Sequence, residues 1–243
     1  MKLLALDTAT ETMAVGVAYD ELSLAANAEG GVQASERLIP LALDLLAQAG
    51  VAPAALDAVA FGQGPGAFTG LRTAVSVAQG LAFGIGCPVL PIDSLLIVAE
   101  DARQQAQACA APFELWVAMD ARMDEAYAAA YRHDGLVWQL LQAPALYDLP
   151  SLAARWQAVG GPGVLAGSAI EAFAGRLPWG AALLWPHAAD RAAALLRLAR
   201  AAWAAGAAVP AQAALPVYLR DKVALTTAER EAARQAAVSG AHR

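Results

Sequence analysis

The chain has 243 residues, 58% of them hydrophobic and 16% charged, with 22 acidic against 16 basic side chains and a net charge of −6. That apolar content excludes disorder, and no apolar run approaches the roughly 20 residues of a membrane span. The acidic balance excludes a chain that grips nucleic acid alone, which needs a basic stripe to neutralise phosphates.

The length suits one large domain or two lobes, each with its own core. Cys87 and Cys109 are too few for a disulfide framework and read as small buried hydrophobes in a reduced cytoplasm. Asp7 falls where a signal peptide would continue its apolar stretch, which again points to the cytoplasm.

In chain order, Leu3 to Asp7 reads as a buried strand and Met13 to Tyr19 as a second. The polar turn Thr8-Ala9-Thr10-Glu11-Thr12 joins them as a hairpin. From Ser35 or Glu36 to Ala49, residues Leu38, Ile39, Leu41, Ala42, Leu45, Leu46 and Ala49 recur at helical spacing, stopped by Gly50. Pro40 fits such a helix only within its first turn or so. Ala58 to Phe61 is a short strand running into the glycine-rich loop Gly62 to Arg72. A helix follows with Thr69 as N-cap, running to about Phe83 and ended by Gly84 and Gly86. Its Ala74, Ser76, Ala78, Gly80 and Ala82 allow close backbone approach. A strand from Pro88 to Ile92 closes this half.

The second half begins like the first. Val117-Ala118-Met119-Asp120 matches Leu4-Ala5-Leu6-Asp7, the polar turn Ala121 to Glu125 follows, and the strand Ala126 to Tyr131 completes the unit. Val164 to Ala166 is a strand entering the turn Gly167-Ser168. Asp190 caps a helix that reaches Ala205, with Gly206 just beyond. Thr226-Thr227-Ala228-Glu229 has capping-box spacing before an exposed, alanine-rich helix with a frayed end. The repeat predicts an α/β chain of two related lobes, 1–102 and 103–225, with a polar tail at 226–243. Late helices are free to pack back on the first lobe.

Two places carry candidate chemistry. In the loop, Gly64, Gly66 and Thr69 lie at a strand-to-helix turn, where free N–H groups and the helix dipole form an anion site worth about 0.3–1 kcal/mol per exposed charge. No Gly-Lys-Ser/Thr follows, so this is not a P-loop, and the spacing is not a dinucleotide fingerprint. Pro65 also removes a donor. The alternative is a tight turn that lets the helix pack closely on the sheet. Asp7, followed by Thr8, and Asp120 each end a strand at a hairpin. Facing each other, they would hold a magnesium ion bridging the phosphates of ATP or ADP; alternatively, each hydrogen-bonds its own turn, the commoner use. Arg72 reads as an anion contact or as the partner of a surface acid. The six tryptophans, with Tyr127 and Tyr131, lack interleaved basic residues and read as packing rather than a base-stacking platform.

Four segments in order resemble the TsaB (YeaZ) family of bacterial tRNA-modification proteins: Leu4 to Glu11, Gly64 to Arg72, Asp120 to Tyr127, and Pro216-Val217-Tyr218-Leu219-Arg220. The resemblance implies an actin/Hsp70-like (ASKHA) fold, a duplicated two-lobe α/β architecture with mixed sheets flanked by helices. It implies a part in forming N6-threonylcarbamoyladenosine at position 37 of tRNAs reading ANN codons, as the non-catalytic partner of a TsaD-type transferase. A TsaE-type ATPase joins the complex, the chain pairs with itself when alone, tRNA is reached indirectly, and no membrane is involved.

The resemblance also makes the two helices of the first half a helical-bundle interface, with Leu38, Leu41 and Leu45 on one and Arg72, Val75 and Gln79 on the other. The leucine stripe read by itself is either core or interface. The transferase's metal-binding His-x-x-x-His pair falls here on Ser94 and Val98, and valine has no lone pair for a metal. His133, His187 and His242 show no ligand spacing. Neither a metal nor independent catalysis is therefore expected. Many relatives carry a histidine where this chain has Gln33-Ala34-Ser35-Glu36, at Ala34. Two other classes remain: an ATPase or kinase of the actin-like superfamily, and a peptidase, which lacks both the ligands and a local Cys/His or Ser/His signature.

Overall fold

The computed structural model describes residues 1–108 and 112–220. Lys2–Asp7 (β1), Thr12–Tyr19 (β2) and Leu22–Glu29 (β3) form an antiparallel meander. Helix Ala34–Gln48 (α1), strand Ala58–Gly64 (β4), helix Phe68–Ile85 (α2), strand Val89–Asp93 (β5) and helix Ser94–Gln105 (α3) follow. The sheet order is β3-β2-β1-β4-β5. Leu4 pairs with Val17 of antiparallel β2 and with Val59 of parallel β4. A central strand covered on both faces is apolar at every position, hence the unbroken Leu3-Leu4-Ala5-Leu6.

The second sheet repeats the plan. Phe113–Asp120 (β6), Glu125–His133 (β7) and Trp138–Asp148 (β8) form the meander, helix Leu149–Ala158 (α4) leads to Val164–Ala166 (β9), and the short helix Ala169–Ala172 (α5) precedes Leu183–Trp185 (β10). Its order, β8-β7-β6-β9-β10, copies the first sheet strand for strand, and β6, like β1, is antiparallel to one neighbour and parallel to the other. This is the duplicated two-lobe architecture with mixed sheets that the sequence predicts.

The last α-helix among the described residues, Arg191–Ala204 (α6), follows the second sheet in the chain but packs on the first. Ala192, Leu195, Leu196 and Ala199 lie against Leu3, Ala5, Ala14 and Ala18. α3 sits beside α6 and turns Leu95, Val98 and Ala102 to Leu115, Val117 and Tyr131 of the second sheet. Helices α1 and α2 cover the outer face of the first sheet and α4 and α5 that of the second, giving five layers. Trp116 meets Trp156 edge-on in the outer core of the second sheet, so these rings are packing groups.

Several expectations change. The N-cap of α2 is Ala67, because its N–H is drawn onto the Ala9 carbonyl and the helix starts there; Thr69 lies inside the first turn. Gly84 does not end α2, which continues to Ile85 and stops at Gly86, at φ 82°. Pro40 lies in the second turn of α1, beyond the first turn where proline is best tolerated, and on the exposed side. Leu38, Leu45 and Val75, expected on an interface, are buried in the core of their own lobe. Cys87 is half-buried against that core, and burial pushes its thiol up. The expected tail 226–243, its capping box and Cys109 lie outside the described residues. Among the described residues, no helix is long and apolar enough to cross a membrane.

Candidate functional site

β1 ends on Asp7, which is fully buried. Its Oδ1 accepts from the Ala9 N–H at 2.9 Å and from Arg191 Nη2 at 3.1 Å, and its Oδ2 accepts from Ser94 Oγ at 2.9 Å. Ser94, at the start of α3, in turn accepts from the Gly64 N–H at 3.1 Å. Gly62 makes room for this centre: a Cβ there would lie 1.8 Å from Asp7 Oδ2. Arg191 opens α6, and its position is fixed from two sides. The buried Asp101 of α3 accepts from the N–H groups of Ala189 and Asp190 at 2.9 and 2.7 Å. Asn27 of β3 accepts from the Ala192 N–H at 3.0 Å and donates to Asp190 at 2.8 Å. Arg191 Nε has no partner among the described residues. Removing one member of such a buried pair leaves a bare charge and costs about 3–5 kcal/mol.

The glycine-rich loop closes on the first hairpin. The Ala67 N–H donates to Ala9 O at 2.8 Å and Thr8 Oγ1 donates to Gly70 O at 2.6 Å. A Cβ on Gly66 would come within 2.5 Å of Ala9 O, and one on Gly70 within 1.9 Å of Thr8 O. Gly64, at φ 107°, passes close under Val217 O. The glycines admit the Thr8-Ala9 backbone in a tight turn. Among the described residues, Arg72 pairs with no acid. Its guanidinium lies 3.9 Å above the Phe68 ring and its Nε donates to the Tyr218 hydroxyl at 3.0 Å.

The segment around Tyr218 links the two halves. The Val217 N–H donates to Gln63 O at 2.7 Å, the Tyr218 ring packs on Phe68 with centroids 5.2 Å apart, and Arg220 reaches the Ala121 carbonyl at 2.9 Å and Glu125 at 2.6 Å. In the second hairpin, Asp120 Oδ1 accepts from the Arg122 N–H at 2.8 Å, repeating the Asp7–Ala9 turn. Its Oδ2 lies 3.2 Å from Arg122 Nη1, and Arg122 Nη2 reaches Glu11 of the first hairpin at 2.7 Å. The Arg122 and Glu11 side chains are 73% and 86% exposed, so this bridge adds about 0–1 kcal/mol.

Between the hairpins lies a cleft of about 1260 Å³, bordered by Thr8, Thr69, Asp120, Ser168, Arg191 and Tyr218. The residues do not fit a magnesium ion. A hard cation needs carboxylate oxygens open to it, whereas both oxygens of Asp7 are held by three donors and both of Asp120 by Arg122. Among the described residues, no three His, Cys, Asp or Glu side chains are grouped to hold a metal. Ser94 and Val98 stand one turn apart on α3; the hydroxyl of the first serves Asp7 and the second is packed in the core.

A second polar centre lies between the sheets. Glu100 of α3 binds Arg103, Gln104, Trp138 and Arg197, all at 2.8 to 3.1 Å. Burial pushes its carboxyl up, but hydrogen bonds from Arg103 and Gln104 outweigh it and hold the group below the usual range. Burial holds Asp93 above its ordinary value despite the 2.6 Å bond from the Tyr131 hydroxyl. Sequence reasoning missed Arg191, Asp101 and Glu100. The signal was present: charged residues at inward positions of apolar helices, three of them buried with partners elsewhere in the chain.

On the outer face of α1 and α2, Leu41 is half-buried, Arg72 is exposed, and Gln79 donates to Ala211 O at 3.1 Å. The exposed apolar side chains there are Ile39 and Leu43, one turn apart on α1, and Phe83 on α2. Arg72, Ser76 and Gly80 form an exposed stripe of mostly small residues along α2.

Paired mixed sheets, hairpins facing across a cleft and helices on every face define a protein of the actin/Hsp70-like class. A family model described as "TsaD: tRNA N6-adenosine threonylcarbamoyltransferase" matches residues 27–173. The chain is similar to the tRNA threonylcarbamoyladenosine biosynthesis protein TsaB of Escherichia coli (strain K12), with 32% identity over 231 residues covering 92% of this chain and 96% of that protein. It is 40% identical over 127 residues to TsaB of Haemophilus influenzae, 52% of each chain. YeaZ from Pseudomonas aeruginosa superposes with a TM-score of 0.79 at 39% identity, covering 90% of this chain and 99% of that one. The chain belongs to the TsaB (YeaZ) family, which shares the TsaD-type domain.

Proposed function

We propose that this chain is a non-catalytic accessory subunit of the machinery that forms N6-threonylcarbamoyladenosine at position 37 of tRNAs reading ANN codons, and that it works by binding a TsaD-type transferase. The observation that carries the reading is the end-to-end likeness to the Escherichia coli protein named TsaB. Two features of the chain agree with it. The cleft carboxylates Asp7 and Asp120 are each spent on an arginine and on their own turns. The outer face of α1 and α2 offers Ile39, Leu43 and Phe83 beside a stripe of small residues, a surface that suits packing against helices of another subunit.

The same face serves a second copy of the chain when the transferase is absent. A TsaE-type ATPase completes the assembly in the cytoplasm, and with a net charge of −6 this subunit leaves most tRNA contacts to its partners. The test is reconstitution. Transfer of the threonylcarbamoyl group from threonylcarbamoyl-AMP to tRNA is measured with the TsaD-type and TsaE-type proteins, with and without this chain. The reading requires product only when all three are present and none from this chain alone. Equal transfer without it refutes the accessory role.

A further inference from the structure

The strand-end aspartates that the duplication places at the two hairpins share one treatment. Asp7 is paired with Arg191 at 3.1 Å, inside the fold; Asp120 is paired with Arg122 at 3.2 Å, at the surface. In both, a backbone N–H two residues on donates to Oδ1 of the same carboxylate. The glycine-rich loop is treated likewise. The loop N–H of Ala67 is turned to Ala9 O, and the glycines at 66 and 70 admit the Thr8-Ala9 backbone in place of an outside group. Positive charge, carboxylate and backbone donor are all supplied by the chain itself.

We infer that Arg191 stands in the place of a divalent cation beside Asp7, with the Thr8-Ala9 turn filling the glycine loop, so that the cleft is closed to magnesium nucleotides and the joint between the two halves is set without a ligand. Arg191 is a positioning residue here. Held by Asp101 and Asn27 through the backbone around it, it ties α6 and α3 to the end of β1. Ser94 adds the end of β4 to the same point. A guanidinium is permanently charged and a fixed part of the chain, so this joint has one geometry whatever the surrounding concentration of magnesium or nucleotide. A subunit whose task is to present a constant face to a partner gains from that.

The experiment uses the whole chain and manganese as a paramagnetic stand-in for magnesium, read by electron paramagnetic resonance, with calorimetric titration of magnesium ADP beside it. The wild type is expected to leave manganese free and to give no binding heat up to about 1 mM, where a site of ordinary cofactor affinity is filled. Arg191→Met, which keeps the bulk and removes the charge, is expected to bind one manganese per chain, and Asp7→Asn in the same background to lose it. One equivalent of manganese or magnesium ADP on the wild type, abolished by Asp7→Asn, overturns the inference. So does a folded Arg191→Met variant, verified by circular dichroism, that binds no metal. If that variant does not fold, the wild-type titrations decide alone. A failure here leaves the accessory role intact, because that role is read from transfer to tRNA.

Discussion

Replacing Leu45 and Leu43 of α1, two residues apart, should give opposite results. Leu45 is 5% exposed and lies in the core with Leu38, Leu46, Val15 and Val17; Leu43 is 46% exposed. Truncating a buried leucine to alanine costs about 2–5 kcal/mol. For a chain of this size each kcal/mol lowers Tm by about 2–4 °C, so Leu45→Ala should lose about 4–20 °C. Leu43 is a surface position, where changes stay within about 0.5 kcal/mol, so Leu43→Asp should melt within about 2 °C of the wild type. Binding should reverse the order. On the proposed interface, Leu43→Asp places a charge against an apolar partner face and should abolish co-purification with the transferase, although the chain is folded. Leu45→Asp, by contrast, should fail by unfolding. Thermal melts and affinity co-purification of the same preparations make the comparison. A Leu43→Asp chain that melts like the wild type and still co-purifies refutes the interface; a Leu45→Ala chain with an unchanged Tm refutes the core assignment.

Glu100→Gln should cost about 3 kcal/mol at pH 7, the low end for a broken buried pair because Arg197 keeps partial contact with water. The folded carboxyl lies below its ordinary 4.5, so its stabilisation is present above that value and lost as pH falls. Denaturant melts should therefore show wild type and variant converging below about pH 4.5, and parallel pH profiles would contradict the network. Among glycines, Gly70→Ala drives a Cβ into Thr8 O and should prevent stable folding, whereas exposed Gly80, in mid-helix with nothing near its Cβ, should gain about 0.5–1 kcal/mol as alanine. Equal melting temperatures for the two variants would contradict the described packing of the glycine loop on the hairpin.

What could be read from the sequence follows from local chemistry. The run Leu3 to Leu6 announced a doubly covered strand, and the recurrence of a strand-end aspartate before a polar turn announced the duplication. β3 was missed because Leu22–Glu29 holds three alanines and no β-branched or aromatic residue, and its place is set by pairing with β2. α3 was missed because Glu100, Asp101 and Arg103 look like a solvated face; Glu100 and Asp101 are buried because each finds a partner from a distant part of the chain, and Arg103 pairs with Glu100. Nor does any local pattern tell that α6 crosses back to the first sheet, since that depends on Ala192 and Leu195 meeting Ala5 and Ala18 across a long stretch of chain. At the cleft, the glycines and aspartates were located from sequence. Their use in turns was among the readings, but Arg191 was not foreseen as the partner of Asp7, because the two come from opposite ends of the chain.

The central claim, that this subunit is needed for threonylcarbamoylation of tRNA, is met most directly by depleting it in cells and quantifying modified nucleosides in bulk tRNA by mass spectrometry. The account predicts that N6-threonylcarbamoyladenosine falls with the protein and returns with the wild-type chain, and that Leu43→Asp does not restore it. An undiminished level of that nucleoside in cells without the protein would contradict the account.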